Sequence, residues 1–357
     1  MMKSLVLAAP GKLSIQERPV PEPRAGEALL RVAYAGICHT DLYTMAGGYA
    51  HMAYPAVLGH EFSAVVEQCG VGVTHLKPGD RVTTMGFVYC GFCRACREGW
   101  HVACQYLKAM PREIEGPFQE FVRMPVTAVF LIPDSVSLEN AALAEPASCA
   151  YNAVESAHIR PGENVVILGA GPIGLLAVQC TVLRQPSALI AVGKKNQNRL
   201  ALAARFGATN TILAAEDDPY AAIMDITGGK GVDAVIWCGG GRDAWELAGQ
   251  VVGIRGRVVV EAMPPTADAA WPVPVVEFTQ KLIRYLGAGG FTGAQFRTVL
   301  QLIRDKRIDV GPLITHRFGL ADYQEALETA SKRGDIAVKV VFDLTRDRAG
   351  RSWGVGV

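Results

Sequence analysis

The run Asn164-Val-Val-Ile-Leu-Gly169-Ala-Gly171-Pro172-Ile173-Gly174, followed by apolar Leu175 to Val182, constrains the fold more than any other feature of the chain. It reads as a strand turning sharply into a helix. Between Gly162 and about Gly290, strand-like runs at Asn164–Leu168, Ala188–Val192, Asn210–Leu213, Val232–Trp237 and Arg257–Glu261 alternate with helical periodicities such as Asn198 to Phe206. Alternation at this spacing predicts βαβ units and a doubly wound parallel sheet with both faces covered. Within that context the glycines acquire a specific purpose. Gly169 allows the tight turn, Gly171 lets backbone approach a pyrophosphate, and Gly174 permits close helix packing, with Pro172 and Ile173 completing the loop. The helix N-terminus favours the negative charge, so a dinucleotide site is expected here.

The second strand indicates which dinucleotide. About 20 residues on, where an NAD site places Asp or Glu for the ribose 2′-hydroxyl, the chain has Ala191-Val-Gly193-Lys194-Lys195-Asn196. An acid there would repel a 2′-phosphate, whereas glycine makes room for one and Lys194, Lys195 and Arg199 supply positive charge and donors. The expectation is NADP(H) over NAD(H), against the alternative of a solvated lysine pair at a helix start.

At 357 residues the chain exceeds what one core usually holds, so two domains are expected. From Met1 to about Pro133 it is strand-like, with runs such as Ala28-Leu-Leu-Arg-Val-Ala-Tyr34 and Phe62-Ser-Ala-Val-Val-Glu67 separated by turns such as Pro78-Gly79-Asp80. That predicts a β-rich, barrel-like part. After Gly290 only a helix (Gln295 to Asp305) and a closing strand (Ile336 to Phe342) follow, so residues 290–357 are expected to rejoin residues 1–150 around a domain of residues 151–289. Arg346 to Val357 reads as a tail.

Lys+Arg 35 against Asp+Glu 34 leaves a net charge of +1, which argues against nucleic acid as a partner. The longest apolar stretch, Val165 to Val178, carries three glycines and a proline and falls short of the ~20 residues that span a bilayer. The N-terminus has too few apolar residues for a signal peptide, so a cytoplasmic protein with no membrane partner is expected.

Nine cysteines and no export signal make a disulfide framework a poor prior. Cys90, Cys93, Cys96 and Cys104 are spaced C-x2-C-x2-C-x7-C. Cysteines at i and i+3 suit one tetrahedral metal, and four thiolates close its sphere, so a structural zinc is expected. Cys69, Cys149, Cys180 and Cys238 read as core. A second, open site is expected from Cys38, Thr40 and Asp41 after one strand and His60 and Glu61 at the start of another. Thiolate, imidazole and carboxylate are the ligand types of a catalytic zinc that keeps a place for substrate oxygen. Either Glu61 or Glu145 would be the third ligand; Asp41 would accept from the His60 ring, and Thr40 would pass a proton toward solvent.

These motifs together, with Pro78-Gly-Asp-Arg-Val82 and Glu145-Pro146, resemble the zinc-dependent medium-chain dehydrogenase/reductase family, the alcohol, sorbitol and threonine dehydrogenases, to about Asp343. The resemblance implies an α/β chain: a GroES-like β-rich catalytic domain interrupted by a doubly wound Rossmann-type parallel sheet domain. It implies Cys38 and His60 as zinc ligands, with Glu61 and Glu145 sharing the third position as in polyol-type members. Many members carry His three residues after the Thr, where this chain has Tyr43, so the proton relay would be rerouted through cofactor ribose or water. The implied activity is hydride transfer between NADP(H) and a small secondary alcohol or ketone, of polyol, sugar or amino-alcohol type, by a homodimer or homotetramer with two zincs per chain. An NADPH-dependent enone or imine reductase and a zinc-free quinone-reductase-like or structural relative are the alternatives.

Overall fold

The structure, a computed structural model, describes residues 1–48, 52–263, 270–332 and 337–345. The expected tail at 346–357 and Ile336 at the head of the expected closing strand lie outside them. The chain divides into two compact units, Met1–Glu145 with Thr292–Lys306 and Val310–Val357, and Pro146–Phe291 with Arg307–Asp309.

The second unit is a parallel sheet of six strands. Their order across it is Asn210–Leu213, Ala188–Gly193, Asn164–Leu168, Val232–Trp237, Val252–Val260 and Arg284–Gly287. Every neighbouring pair is parallel. Helices Pro172–Val182, Gln197–Arg205, Pro219–Ile226 and Gly241–Val251 fall between successive strands. Numbered by sequence the order is 3-2-1-4-5-6, which leaves a crevice at the C-terminal ends of the first and fourth strands, where the winding reverses. Central strands are apolar on both faces: Val166, Leu168, Ile190, Val235 and Val258 are buried in one core on one face, and Val165, Ile167, Leu189, Ala234 and Val259 are buried on the other. That is why they read as continuous apolar runs. The fifth strand starts earlier than expected, at Val252, and ends at Val260. Arg284–Gly287 was not anticipated; at four residues on the sheet edge it is too short to show a period.

In the first unit the Glu27–Gly36 strand lies beside Glu61–Cys69, with Arg81–Thr84 and Val129–Leu131 beyond. Its other side pairs with Lys339–Asp343 and with Phe121–Pro125. The late segment thus completes a sheet begun by the earliest residues. Ile314–Phe318 pairs parallel with Lys339–Asp343 at the edge of this sheet, and a three-stranded sheet of Lys12–Arg18, Met2–Ala9 and Ala56–Val57 and a short hairpin of Phe87–Val88 with Lys108–Ala109 complete the described strands. Among the described residues no helix is long and apolar enough to cross a membrane.

One ion pair ties the start of the parallel sheet to its fifth strand. Arg257 Nη1 donates to Glu163 Oε1 at 3.0 Å and Nη2 donates to Oε2, with both side chains largely buried. Burial pushes the Glu163 pKa up, but the hydrogen bonds and charge of Arg257 outweigh it and hold the carboxyl below its usual range. A depressed folded-state pKa contributes stability above the unfolded pKa, and that contribution is lost as pH falls through the folded one. Glu163→Gln is therefore expected to lower the free energy of urea unfolding by about 3 kcal/mol at neutral pH. The deficit relative to wild type shrinks below about pH 4; a deficit unchanged down to pH 3 would contradict the pairing.

Candidate functional site

Two groups of potential metal ligands converge among the described residues. In the first, Cys90 follows the Phe87–Val88 strand, Cys93 precedes the Arg94–Arg97 helix that carries Cys96, and Cys104 follows a helical turn at His101–Ala103. All four sulfurs lie within 4.8 Å of one another. Cys90 to Cys96 and Cys93 to Cys104 are each 3.9 Å. A tetrahedral ion with metal–sulfur bonds of about 2.3 Å needs sulfur–sulfur edges of about 3.8 Å, so the set fits zinc. The N–H groups of Cys93 and Cys90 donate to Cys90 Sγ and Cys104 Sγ at 3.4 Å, and that of Tyr106 to Cys104 Sγ at 3.3 Å. Backbone donation from Cys96 and Gln105 pulls the Cys93 thiol down to about 6, whereas burial pushes that of Cys96 up to about 12, so the cluster shares its negative charge unequally.

The second group depends on strand register. Glu27–Gly36 and Glu61–Cys69 pair antiparallel with Gly36 opposite Glu61. Cys38, just past the end of one strand, therefore meets His60, just before the start of the other. The ligand atoms of Cys38, His60 and Glu61 lie within 4.8 Å of one another. Gly36 leaves room for this approach: a Cβ there would displace Glu61 Oε2 and sit 3.0 Å from Lys339 Cε.

Asp41, fully buried, is committed to the backbone: Oδ2 accepts from the Cys38 N–H at 2.8 Å and Oδ1 from the Gly59 N–H at 2.9 Å. It fixes both loops that carry the ligands. Its Oδ1 stands 3.8 Å from His60 Nδ1, beyond the hydrogen bond expected of it. Thr40 Oγ1 is 3.7 Å from Cys38 Sγ. Tyr43 lies on the same helix, His39–Met45, with its ring against Gly48, where a Cβ would overlap it. Glu145 sits in the first turn of Ala144–Ser156, close enough to His60 for its charge to act on the ring. Burial opposes the protonation of His60, but its interactions with Cys38, Asp41 and Glu145 outweigh it and hold the imidazole well above its usual value.

Lys339 was not anticipated. Its ammonium is ion-paired to Glu61 Oε2, and the two side chains are 4% and 2% exposed. A buried carboxylate needs such a partner. The signal was present as a lone lysine in the apolar run Ile336-Ala-Val-Lys339-Val-Val-Phe342, since a charge inside a buried strand requires a counter-charge.

The glycine loop fits a dinucleotide pyrophosphate. Gly169 has φ +103°, and a Cβ there would press on the Gly239 nitrogen at 3.1 Å. A Cβ on Gly174 would collide with the Gly169 carbonyl, while one on Gly171 would meet nothing within 4 Å. The loop is thus packed from behind and open in front. Gly171 begins the Pro172–Val182 helix with no side-chain cap, so the first N–H groups stay free for an anion. Ile173 lies in that first turn.

At the end of the second strand Lys194 and Lys195 are exposed, and Asn196 caps the next helix by accepting from the Arg199 N–H at 3.0 Å. Gly193 is packed against the next helix. It is buried, and a Cβ would meet Leu200 at 3.1 Å, so the missing side chain accommodates helix packing. Lys194 Nζ lies 3.5 Å from Asp243 Oδ2, at the start of the Gly241–Val251 helix.

Comparison with known proteins supplies the family. The alcohol dehydrogenase GroES-like domain matches residues 24–134, and the zinc-binding dehydrogenase domain matches residues 172–305. A sorbitol dehydrogenase of Halalkalibacterium halodurans is 30% identical over 349 residues, covering 96% of this chain and 99% of the relative. A zinc-binding dehydrogenase structure from Sinorhizobium meliloti 1021 bound to NADP superposes with TM-score 0.90 at 29% identity, covering 96% and 99% of the two chains. An alcohol dehydrogenase structure from Escherichia coli CFT073 complexed with NADH gives TM-score 0.88 at 27% identity with the same coverage. With a GroES-like β-rich unit, a Rossmann-type unit and these relatives, the chain belongs to the zinc-dependent medium-chain dehydrogenase family.

Proposed function

We propose that this oxidoreductase carries two zinc ions and prefers NADP(H), moving a hydride between the dinucleotide and a secondary alcohol or ketone of the polyol, sugar or amino-alcohol type. The observation that carries the reading is the convergence of the Cys38, His60 and Glu61 ligand atoms within 4.8 Å. The similarity to a sorbitol dehydrogenase supports the polyol class. Zinc bound there would supply a Lewis acid that lowers the pKa of the substrate hydroxyl.

The chain's own residues do the rest. Cys38 and His60 would hold the ion, with Glu61 or Glu145 in the third position. Asp41 keeps the two ligand loops in register through the N–H groups of Cys38 and Gly59. Thr40, adjacent to Cys38 Sγ, would accept the substrate hydroxyl proton and hand it on. Tyr43, standing where relatives carry a relay histidine, leaves the onward path to ribose or water. Gly169, Gly171 and Gly174 would seat the pyrophosphate on the helix N-terminus, and Lys194, Lys195 and Arg199 would face the 2′-phosphate. Cys90, Cys93, Cys96 and Cys104 would hold the second zinc as a structural ion, since four thiolates leave no place for substrate.

Three outcomes are expected. With a panel of polyols and secondary alcohols, NADP+ supports at least tenfold higher kcat/KM than NAD+; the reverse order would overturn the lysine argument. Thr40→Val lowers kcat about 100-fold with KM little changed, while Thr40→Ser keeps most of the rate. Elemental analysis finds about two zinc ions per chain, and Cys96→Ser loses about one of them together with several degrees of Tm. A wild-type protein with less than one zinc per chain would refute the metal assignments.

A further inference from the structure

The proposed discrimination between dinucleotides rests on cations at the end of the second strand, yet the first of them is not free. Lys194 Nζ is 3.5 Å from Asp243 Oδ2. Asp243 comes from a different crossover, at the start of the Gly241–Val251 helix that follows the fourth strand. It is carried there by Gly239-Gly240-Gly241, three consecutive glycines with positive φ, which turn the chain sharply as it leaves that strand. The neighbouring Arg242 pairs with Glu246, Nε to Oε1 2.7 Å.

We propose that Asp243 is a specificity-determining residue for the adenosine end of the dinucleotide, supplying from the fourth-strand loop the carboxylate that the second strand lacks. The proposal rests on the dinucleotide reading above and refines it. In folds of this order the ribose 2′ substituent lies at the end of the second strand. Lys194 is the first side chain beyond that strand, and an acid within 3.5 Å of it bears on the same place. With a 2′-hydroxyl the carboxylate is an acceptor. With a 2′-phosphate it is a counter-charge that competes for Lys194 and repels the dianion. The chain therefore combines an acid suited to NAD with lysines suited to NADP in one ion pair, and the balance between them sets the preference.

The pair is exposed, at 65% and 87%, so its own contribution to stability is small and removing the acid leaves the fold intact. Its effect on a doubly charged phosphate is larger, because each charge adds to the repulsion, and salt screens it. The test uses the zinc-loaded full chain and two nicotinamide-free probes, 2′,5′-ADP and 5′-AMP, titrated calorimetrically. Asp243→Asn is expected to tighten 2′,5′-ADP about three- to tenfold at low salt, to leave 5′-AMP unchanged or weaker, and to lose most of that gain in 0.5 M salt. Asp243→Glu, which keeps the charge, should behave as wild type. Equal affinities of wild type and Asp243→Asn for 2′,5′-ADP, or a gain shared equally by 5′-AMP, would overturn the proposal. A wild-type chain that binds 5′-AMP more tightly than 2′,5′-ADP would overturn the NADP reading instead, and the response to Asp243→Asn would still decide the role of the acid.

Discussion

The antiparallel register that sets Gly36 opposite Glu61 governs the catalytic half of the molecule. A slip of one residue would turn every side chain of a strand to the opposite face, separating Cys38 from His60 and exposing Glu61. A residue larger than glycine at position 36 would displace Glu61 Oε2, which stands where a Cβ would be, and so disturb its pairing with Lys339. The register also buries Glu61, and a buried carboxylate without a partner costs several kcal/mol. Its partner, Lys339, stands more than two hundred residues later, on the strand that pairs with the other side of Glu27–Gly36. The β-rich unit is consequently incomplete without the late segment, which explains why the chain returns to it after the parallel sheet.

Features encoded locally were legible in the sequence, and those created by long-range pairing were not. The C-x2-C-x2-C-x7-C spacing places four sulfurs around one centre through a turn, a short helix and a hairpin, so spacing alone indicated the cluster. The parallel strands were equally visible, since burial on both faces makes a run such as Val165-Val-Ile-Leu168 apolar throughout. Cys38, His60 and Glu61 could be named as candidates by residue type, but their proximity depends on a pairing that no local pattern specifies. Asp41 was singled out for the right neighbourhood and the wrong bond: its oxygens are taken by two backbone N–H groups. At Gly193 the sequence does not reveal the packing against Leu200, which a Cβ would meet at 3.1 Å. Asp243 left no trace in the sequence, because its relation to Lys194 exists only once the sheet sets the ends of the second and fourth strands on either side of the first.

The two candidate metal centres differ in the same respect, and the difference has an energetic meaning. The four-thiol lobe gathers its ligands within fifteen residues of chain, so an ion there closes short loops and organises a segment with little apolar core of its own. The Cys38 site is assembled by the sheet, and its charges are concentrated before any ion is considered. Interactions with Cys38, Asp41 and Glu145 are what lift the His60 imidazole against the effect of burial. Burial in turn pushes the Asp41 carboxyl up, against the pull of His60 and of its backbone donors. Lys339 answers one anion of this group, through Glu61. A divalent cation at the converged ligand atoms would answer the others and leave the imidazole free to bind in its neutral form, so the electrostatic demand of the site matches the donor set that the strand register brings together.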